Sequence, residues 1–153
     1  MRDSAQSELA RCEKRALMLL ARREHSRQEL HAKLRQKGFA RADIETVLDD
    51  LIEQGWLSDA RFAEAFIRHR AARGYGPVRI SAELHQRGVP SDAAAIGWAQ
   101  SPVDWEANIQ RVLQKRYTGS PDGWDEQAKR FGFLTRRGFP ADLAHQYAGW
   151  WSD

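Results

Sequence analysis

Three times in 153 residues the chain writes the same helix ending at the same interval. LRQKGF (34–39), LHQRGV (84–89) and LTRRGF (134–139) put leucines at Leu34, Leu84 and Leu134 and glycines at Gly38, Gly88 and Gly138, fifty residues apart both times. Leucine, cation, glycine and hydrophobe is how many helices stop: the cation complements the negative end of the dipole, and glycine accepts a left-handed backbone just past the last turn. That explains each ending alone. The shared interval marks an internal repeat. A three-helix unit of this size buries too little surface to stand by itself, so the three must stack around a continuous core.

The rest of the pattern fills those units with helices. Leu9, Cys12, Ala16, Leu17 and Leu20 recur at three- and four-residue steps over Ser7–Arg23. Ser26-Arg27-Gln28-Glu29 is a capping box opening a second helix through Leu30 and Leu34 to Gly38. A third, from Arg41, puts Ile44, Val47, Leu48, Leu51 and Ile52 on one stripe, and Trp56 and Leu57 are expected to close back on the core. Ser58-Asp59 caps a fourth, with Phe62, Phe66 and Ile67 inward, ending at Gly74; Pro77 opens a fifth, running to Gly88. Ser91 to Gln100 is a short sixth, and Ser101-Pro102-Val103-Asp104 opens a seventh to Tyr117. After a TGSPD loop, an eighth from Trp124 and a ninth from Pro140 through Leu143, Tyr147, Trp150 and Trp151 complete the chain. No alternation long enough for a strand occurs. The expectation is an all-α chain of three tandem helix-turn-helix-like repeats, at 7–57, 58–100 and 101–153, forming an elongated, curved stack.

The chemistry points away from catalysis. His25, His31, His69, His85 and His145 form no i,i+4 pair and no HExxH; there is no Gly-rich phosphate loop, no Walker lysine and no G-x-S-x-G. Asp49-Asp50 lie on a solvated acidic face with Glu45 and Glu53. Cys12 is the only cysteine, which excludes an intramolecular disulfide and a thiolate metal cluster and suits a reducing, cytoplasmic setting. The apolar run Ala16–Ala21 is too short for a signal segment or a membrane span. The chain reads as a cytoplasmic, monomeric binding protein with no cofactor, no metal and no enzymatic activity.

Charge carries the functional signal. The net charge is +3, and within Arg68–Val89 five arginines (Arg68, Arg70, Arg73, Arg79 and Arg87) stand against Glu83 alone. Four of them flank the bend Gly74-Tyr75-Gly76-Pro77, where Tyr75 is either a buried plug between helices or an exposed contact. The second helix adds Arg27, Lys33, Arg35 and Lys37 against Glu29. Acids collect on the third helix instead: Asp43, Glu45, Asp49, Asp50 and Glu53. In a helix-turn-helix reader the third helix enters the major groove, so these acids count against sequence-specific DNA reading. A basic strip that meets nucleic acid or an acidic protein surface remains, alongside the simpler reading of solubility and dipole matching.

Across this bend the chain resembles the RecX family, regulators of the RecA recombinase. The resemblance is carried by Phe66-Ile67-Arg68-x-Arg70, Arg73-Gly74-Tyr75-Gly76-Pro77-x-Arg79-Ile80, Glu83-Leu84 and Arg87-Gly88-Val89. Ser26-Arg27-x-Glu29-Leu30, Lys37-Gly38-Phe39 and the segment from Gly55-Trp56-Leu57-Ser58-Asp59 to Arg61-Phe62-Ala63 support it. It spans about residues 9–151 and is loosest in the third unit. It implies a protein that binds RecA nucleoprotein filaments, in the groove or at an end, and reduces recombinase, ATPase and coprotease activity, so modulating DNA repair and the SOS response. The candidate contact residues for RecA or DNA are Arg68, Arg70, Arg73, Tyr75, Arg79 and Arg87, with Arg27, Lys33, Arg35 and Lys37. The alternative is a protein that binds single- or double-stranded DNA weakly, without sequence preference and in a salt-dependent way, and acts by competing for DNA.

Overall fold

The computed structural model describes residues 2–150; the expected helical position at Trp151 lies outside the described residues. Among those residues there are nine α-helices and no strand: α1 (Arg2–Arg22), α2 (Arg27–Gln36), α3 (Arg41–Glu53), α4 (Asp59–Ala72), α5 (Pro77–Gln86), α6 (Ser91–Gln100), α7 (Trp105–Arg116), α8 (Gly123–Arg136) and α9 (Ala141–His145). The boundaries follow from local chemistry. Ser26 caps α2 in a complete capping box, Asp104 caps α7 by accepting from the Ala107 amide, and Ser58 accepts from the Arg61 amide at the start of α4.

The fifty-residue repeat is a repeat of one hydrogen-bond motif. At each ending the glycine amide donates to the carbonyl three residues back, Gly38 to Arg35 (2.9 Å), Gly88 to His85 (3.0 Å) and Gly138 to Thr135 (3.0 Å). The following hydrophobe donates to the leucine: Phe39 to Leu34 (3.3 Å), Val89 to Leu84 (3.1 Å) and Phe139 to Leu134 (3.1 Å). This is the Schellman pair of bonds, which satisfies carbonyls a helix end would leave open and draws the last hydrophobe over the leucine. Leu34, Leu84 and Leu134 are all fully buried.

The chain divides into two compact units, residues 1–65 with 84–99, and residues 66–83 with 100–153. In the first, Cys12 and Ala16 of α1, Leu30 and Leu34 of α2, and Ile44, Val47, Leu48 and Leu51 of α3 form one apolar cluster with Leu57. Burial raises the Cys12 thiol pKa, with Asp43 adding to the effect, so this thiol is a packing residue. In the second, Ile109, Val112 and Leu113 of α7 pack with Phe133 and Leu134 of α8, Phe139, and Ala144 of α9.

Three details differ from expectation. Ile52 and Trp56 are exposed (44% and 58%), because Leu51 and Leu57 already fill the places next to them. The last helix is shorter than its hydrophobic period suggests. α9 stops at His145 and widens into a π-type turn, Gln146–Trp150, that breaks at Gly149 (φ 96°), a conformation suited to glycine.

Candidate functional site: an arginine cage around Tyr75

The bend between α4 and α5 is built by backbone hydrogen bonds and held by cations. Gly74 (φ 91°) ends α4 with the same motif as the repeat endings: its amide donates to Ala71 (3.0 Å) and the Tyr75 amide to Arg70 (3.1 Å). Within the same unit, the Gly76 amide donates to the Arg137 carbonyl (2.8 Å) and the Val78 amide to the Gly138 carbonyl (2.9 Å). The start of α5 is thereby pinned on the end of α8. A Cβ on Gly76 would stand 2.4–2.5 Å from the Gly138 and Phe139 backbone, so only glycine allows this approach.

That junction delivers three guanidiniums to one ring. The Tyr75 centroid lies 4.3 Å from Arg79, 4.8 Å from Arg70 and 5.1 Å from Arg137. Each is within cation–π range of the half-buried ring, whose negative π-face attracts them. Glu83 completes the cluster: Arg70 Nε and Nη2 reach its Oε2 at 2.7 and 2.6 Å, and Arg79 Nε donates to its Oε1 at 3.0 Å. The Glu83 side chain is 15% exposed and that of Arg70 22%, so this is an inward pair. Tyr75 is neither a sealed plug nor a free contact; it is the centre of a cage.

The first unit contains the same junction, shifted by fifty residues and with different side chains. Where the Gly76 amide donates to Arg137, the Ser26 hydroxyl donates to the Arg87 carbonyl (2.7 Å). Where Tyr75 sits among arginines, His25 sits buried, its Nδ1–H donating to the Arg23 carbonyl (3.1 Å) and its Nε2 accepting from Lys33 (3.0 Å). That pattern needs a neutral ring. Burial, opposed by the Arg23 carbonyl and helped by the Arg23 and Lys33 charges, lowers the His25 pKa. Glu29 receives the Ser26 amide, Arg23 and Arg87, the last at 2.6 Å. Burial pushes its pKa up, but the Ser26 amide and the two arginines outweigh this and leave it lowered. Burial also lowers the Lys33 pKa, and Arg23 beside it adds to the effect.

The ten sequence-derived candidates therefore separate. Arg70, Tyr75 and Arg79 meet in the cage. Arg73 and Arg68 are exposed on the same unit. Arg27 pairs with Asp49 (3.1 Å), Lys33 with His25, Arg87 with Glu29, and Arg35 donates to the Phe39 carbonyl (3.2 Å), all within the first unit; Lys37 is exposed there.

Sequence reasoning missed Arg137, Glu83 as the clasp, and Asn108. Asn108 is buried, donates to the Ala71 carbonyl (2.9 Å) and accepts from Arg111 (2.6 Å), so it fixes the end of α4 against α7. Arg137 was within reach of the repeat itself, since it follows Lys37 and Arg87 at the fifty-residue step.

Fold and site together define a helical-repeat protein of three-helix domains, with a cationic, aromatic cluster at one of its joints. Family models described as the first, second and third three-helix domains of RecX match residues 12–51, 58–96 and 104–147, in that order. The chain belongs to the RecX family. It is 43% identical over 129 residues to the regulatory protein RecX of Pseudomonas syringae pv. tomato and 46% identical to that of Pseudomonas putida strain GB-1; each match covers 84% of this chain and 83% of the relative. The crystal structure of RecX from Lactobacillus salivarius superposes with a TM-score of 0.77 at 22% identity, covering 92% of this chain and 94% of that one. A second crystal structure of a regulatory protein RecX gives 0.75 over 92% of this chain and 71% of that chain.

Proposed function

We propose that this chain regulates the RecA recombinase by docking on its nucleoprotein filament in the cytoplasm as a monomer. It lowers recombinase, ATPase and coprotease activity without making or breaking a bond, and so tempers DNA repair and the SOS response. The observation that carries this reading is the in-order match to all three RecX domains. Charge supports it further. The unit holding residues 66–83 and 100–153 has eleven Lys and Arg against eight Asp and Glu, which is the whole excess of +3, while the other unit is balanced at thirteen of each. A surface so biased is drawn to the acidic face of a protein–DNA polymer, faster at low salt.

The test is co-sedimentation with preformed RecA filaments on single-stranded DNA, together with RecA ATPase, across a salt series. Co-pelleting with falling ATPase, both fading as salt rises, supports the reading. A protein that stays in the supernatant and leaves ATPase untouched at 50 mM salt would end it. A second reading, inhibition by competition for DNA, is favoured by the unneutralised cations described next. It requires tight binding to protein-free DNA at moderate salt.

A further inference from the structure

Beside the cage, in the same unit, lies a cavity of about 170 Å³. Arg73 from the end of α4, Arg111, Lys115 and Arg116 from α7, and Arg137 from the end of α8 all line it, over a floor that includes Phe133. No carboxylate lines the cavity. None of the five cations is ion-paired among the described residues, although nearby Arg70, Arg79 and Arg130 each hold a glutamate.

Converging five like charges opposes folding unless something else holds them, and the structure shows what does. Arg111 Nη2 donates to the carbonyls of Ala71 (3.1 Å) and Ala72 (3.3 Å) and to Asn108 Oδ1 (2.6 Å). Arg116 and Arg137 lie over the Phe133 ring at 5.2 and 5.5 Å, and Arg137 also over Tyr75. Gly74 keeps the wall open: a Cβ there would touch Val112 at 3.0 Å and lie 3.9 Å from Arg137 Nη1. Arg111, Arg116 and Arg137 are positioned by neutral acceptors and rings, which leaves their charge unspent.

We propose that this cavity is a phosphate site that takes one phosphodiester of a nucleic-acid strand. A carboxylate is satisfied by one or two cations, whereas five around one concavity match the several acceptor oxygens of a phosphate, which guanidinium forks grip in pairs. Size decides between a strand and a free nucleotide. The volume is well below the ~300–1,000 Å³ of sites that engulf a whole small ligand. It therefore admits a group whose remainder lies outside. This deepens the proposed function by naming the part of a filament that this unit touches. Filament co-sedimentation scores docking separately, so the two can fail independently.

The experiment uses the full chain and a fluorescein-labelled single-stranded oligonucleotide, with anisotropy read from 50 to 300 mM salt. Arg73→Gln and Lys115→Gln remove exposed cations that hold no hydrogen bond among the described residues, so thermal melting should be unchanged. For the double variant, the slope of log affinity against log salt should flatten by about 0.7 per lost phosphate contact. The exposed pair Arg35→Gln and Lys37→Gln in the other unit should leave the slope nearly unchanged. An unaltered slope in the first double variant, with the fold intact, overturns the proposal. Displacement of the oligonucleotide by sub-millimolar ATP or inorganic phosphate also overturns it, in favour of a free phosphate ligand. So does equal affinity for a polyglutamate of the same charge, which would make the site a carboxylate receptor.

Discussion

Tyr75 stands within about 5 Å of three guanidiniums, two of which share Glu83, so its ring is a structural counter-surface as much as a contact. Removing the ring takes away the face that attracts the cations and gives up its partial burial. Tyr75→Ala is expected to cost about 2–4 kcal/mol, from lost apolar burial plus three cation–π contributions of about 0.5–1 kcal/mol each. Tyr75→Phe, which keeps the ring, should stay within 0.5 kcal/mol or so of the parent, as surface changes do. Urea midpoints of the two variants check this; equal stability of Tyr75→Ala and the parent would mean the cage is ornamental to the fold. The partner junction answers to pH instead. His25 is neutral when folded and its pKa is lowered, so the unfolded chain binds the extra proton first. Its contribution is whole above the unfolded value near 6.5 and is lost as pH falls toward the folded one, at no more than about 1.4 kcal/mol per pH unit for one proton. Glu29, also lowered, adds a loss in the same direction below the ordinary glutamate range. Denaturation midpoints from pH 8 to 5 should therefore fall, and the part above pH 5.5 should vanish in His25→Gln, whose neutral amide titrates nowhere.

At the scale of elements, what was legible in the sequence is what local chemistry alone decides. The capping box at Ser26, the Pro77 start, the Asp104 cap and the three leucine–glycine endings depend on neighbours within five residues, and they appear where the spacing predicts. The side of Ile52 and Trp56 depends instead on which of two adjacent apolar residues wins the core, and periodicity cannot rank Leu51 over Ile52. The cage was half legible. Four arginines around a bend are visible in one stretch, but their use is set by Glu83 one turn on and by Arg137 some sixty residues away. The same distinction separates two glycines. Gly38 has φ 93° and open space where a Cβ would go, so Gly38→Ala should cost only the left-handed backbone penalty, about 1–2 kcal/mol. Gly76 has no positive φ but lies against the Gly138 backbone, so Gly76→Ala must push α5 off the end of α8 and break two backbone hydrogen bonds. Its loss is expected to exceed that of Gly38→Ala by about 1–3 kcal/mol, a typical cost of overpacking. Thermal unfolding of the two single variants decides it, and a milder Gly76→Ala would show that the junction is loose.

For the whole molecule the decisive quantity is where charge is left over, because only unspent charge acts at a distance. In one unit thirteen cations face thirteen acids, and Arg23, Arg27, Arg61 and Arg87 are visibly committed to Glu29, Asp49 and Glu24. In the other, eleven face eight, and Arg73 with the α7 cations holds no carboxylate among the described residues. A partner that is acidic overall should feel the second unit and be nearly indifferent to the first. Reversing one exposed charge in each tests this within a single assay. Arg73→Glu is expected to raise the concentration needed to halve RecA ATPase on single-stranded DNA by up to about tenfold at 50 mM salt, which is 1.4 kcal/mol. Lys37→Glu should raise it less than about twofold, the scale of an exposed pair of charges. The gap should narrow as salt rises, because the Debye length contracts from about 10 Å at 0.1 M to about 3 Å at 1 M. Equal effects of the two reversals would mean that recognition is spread evenly over the chain, and the surplus in the second unit would then serve solubility rather than docking.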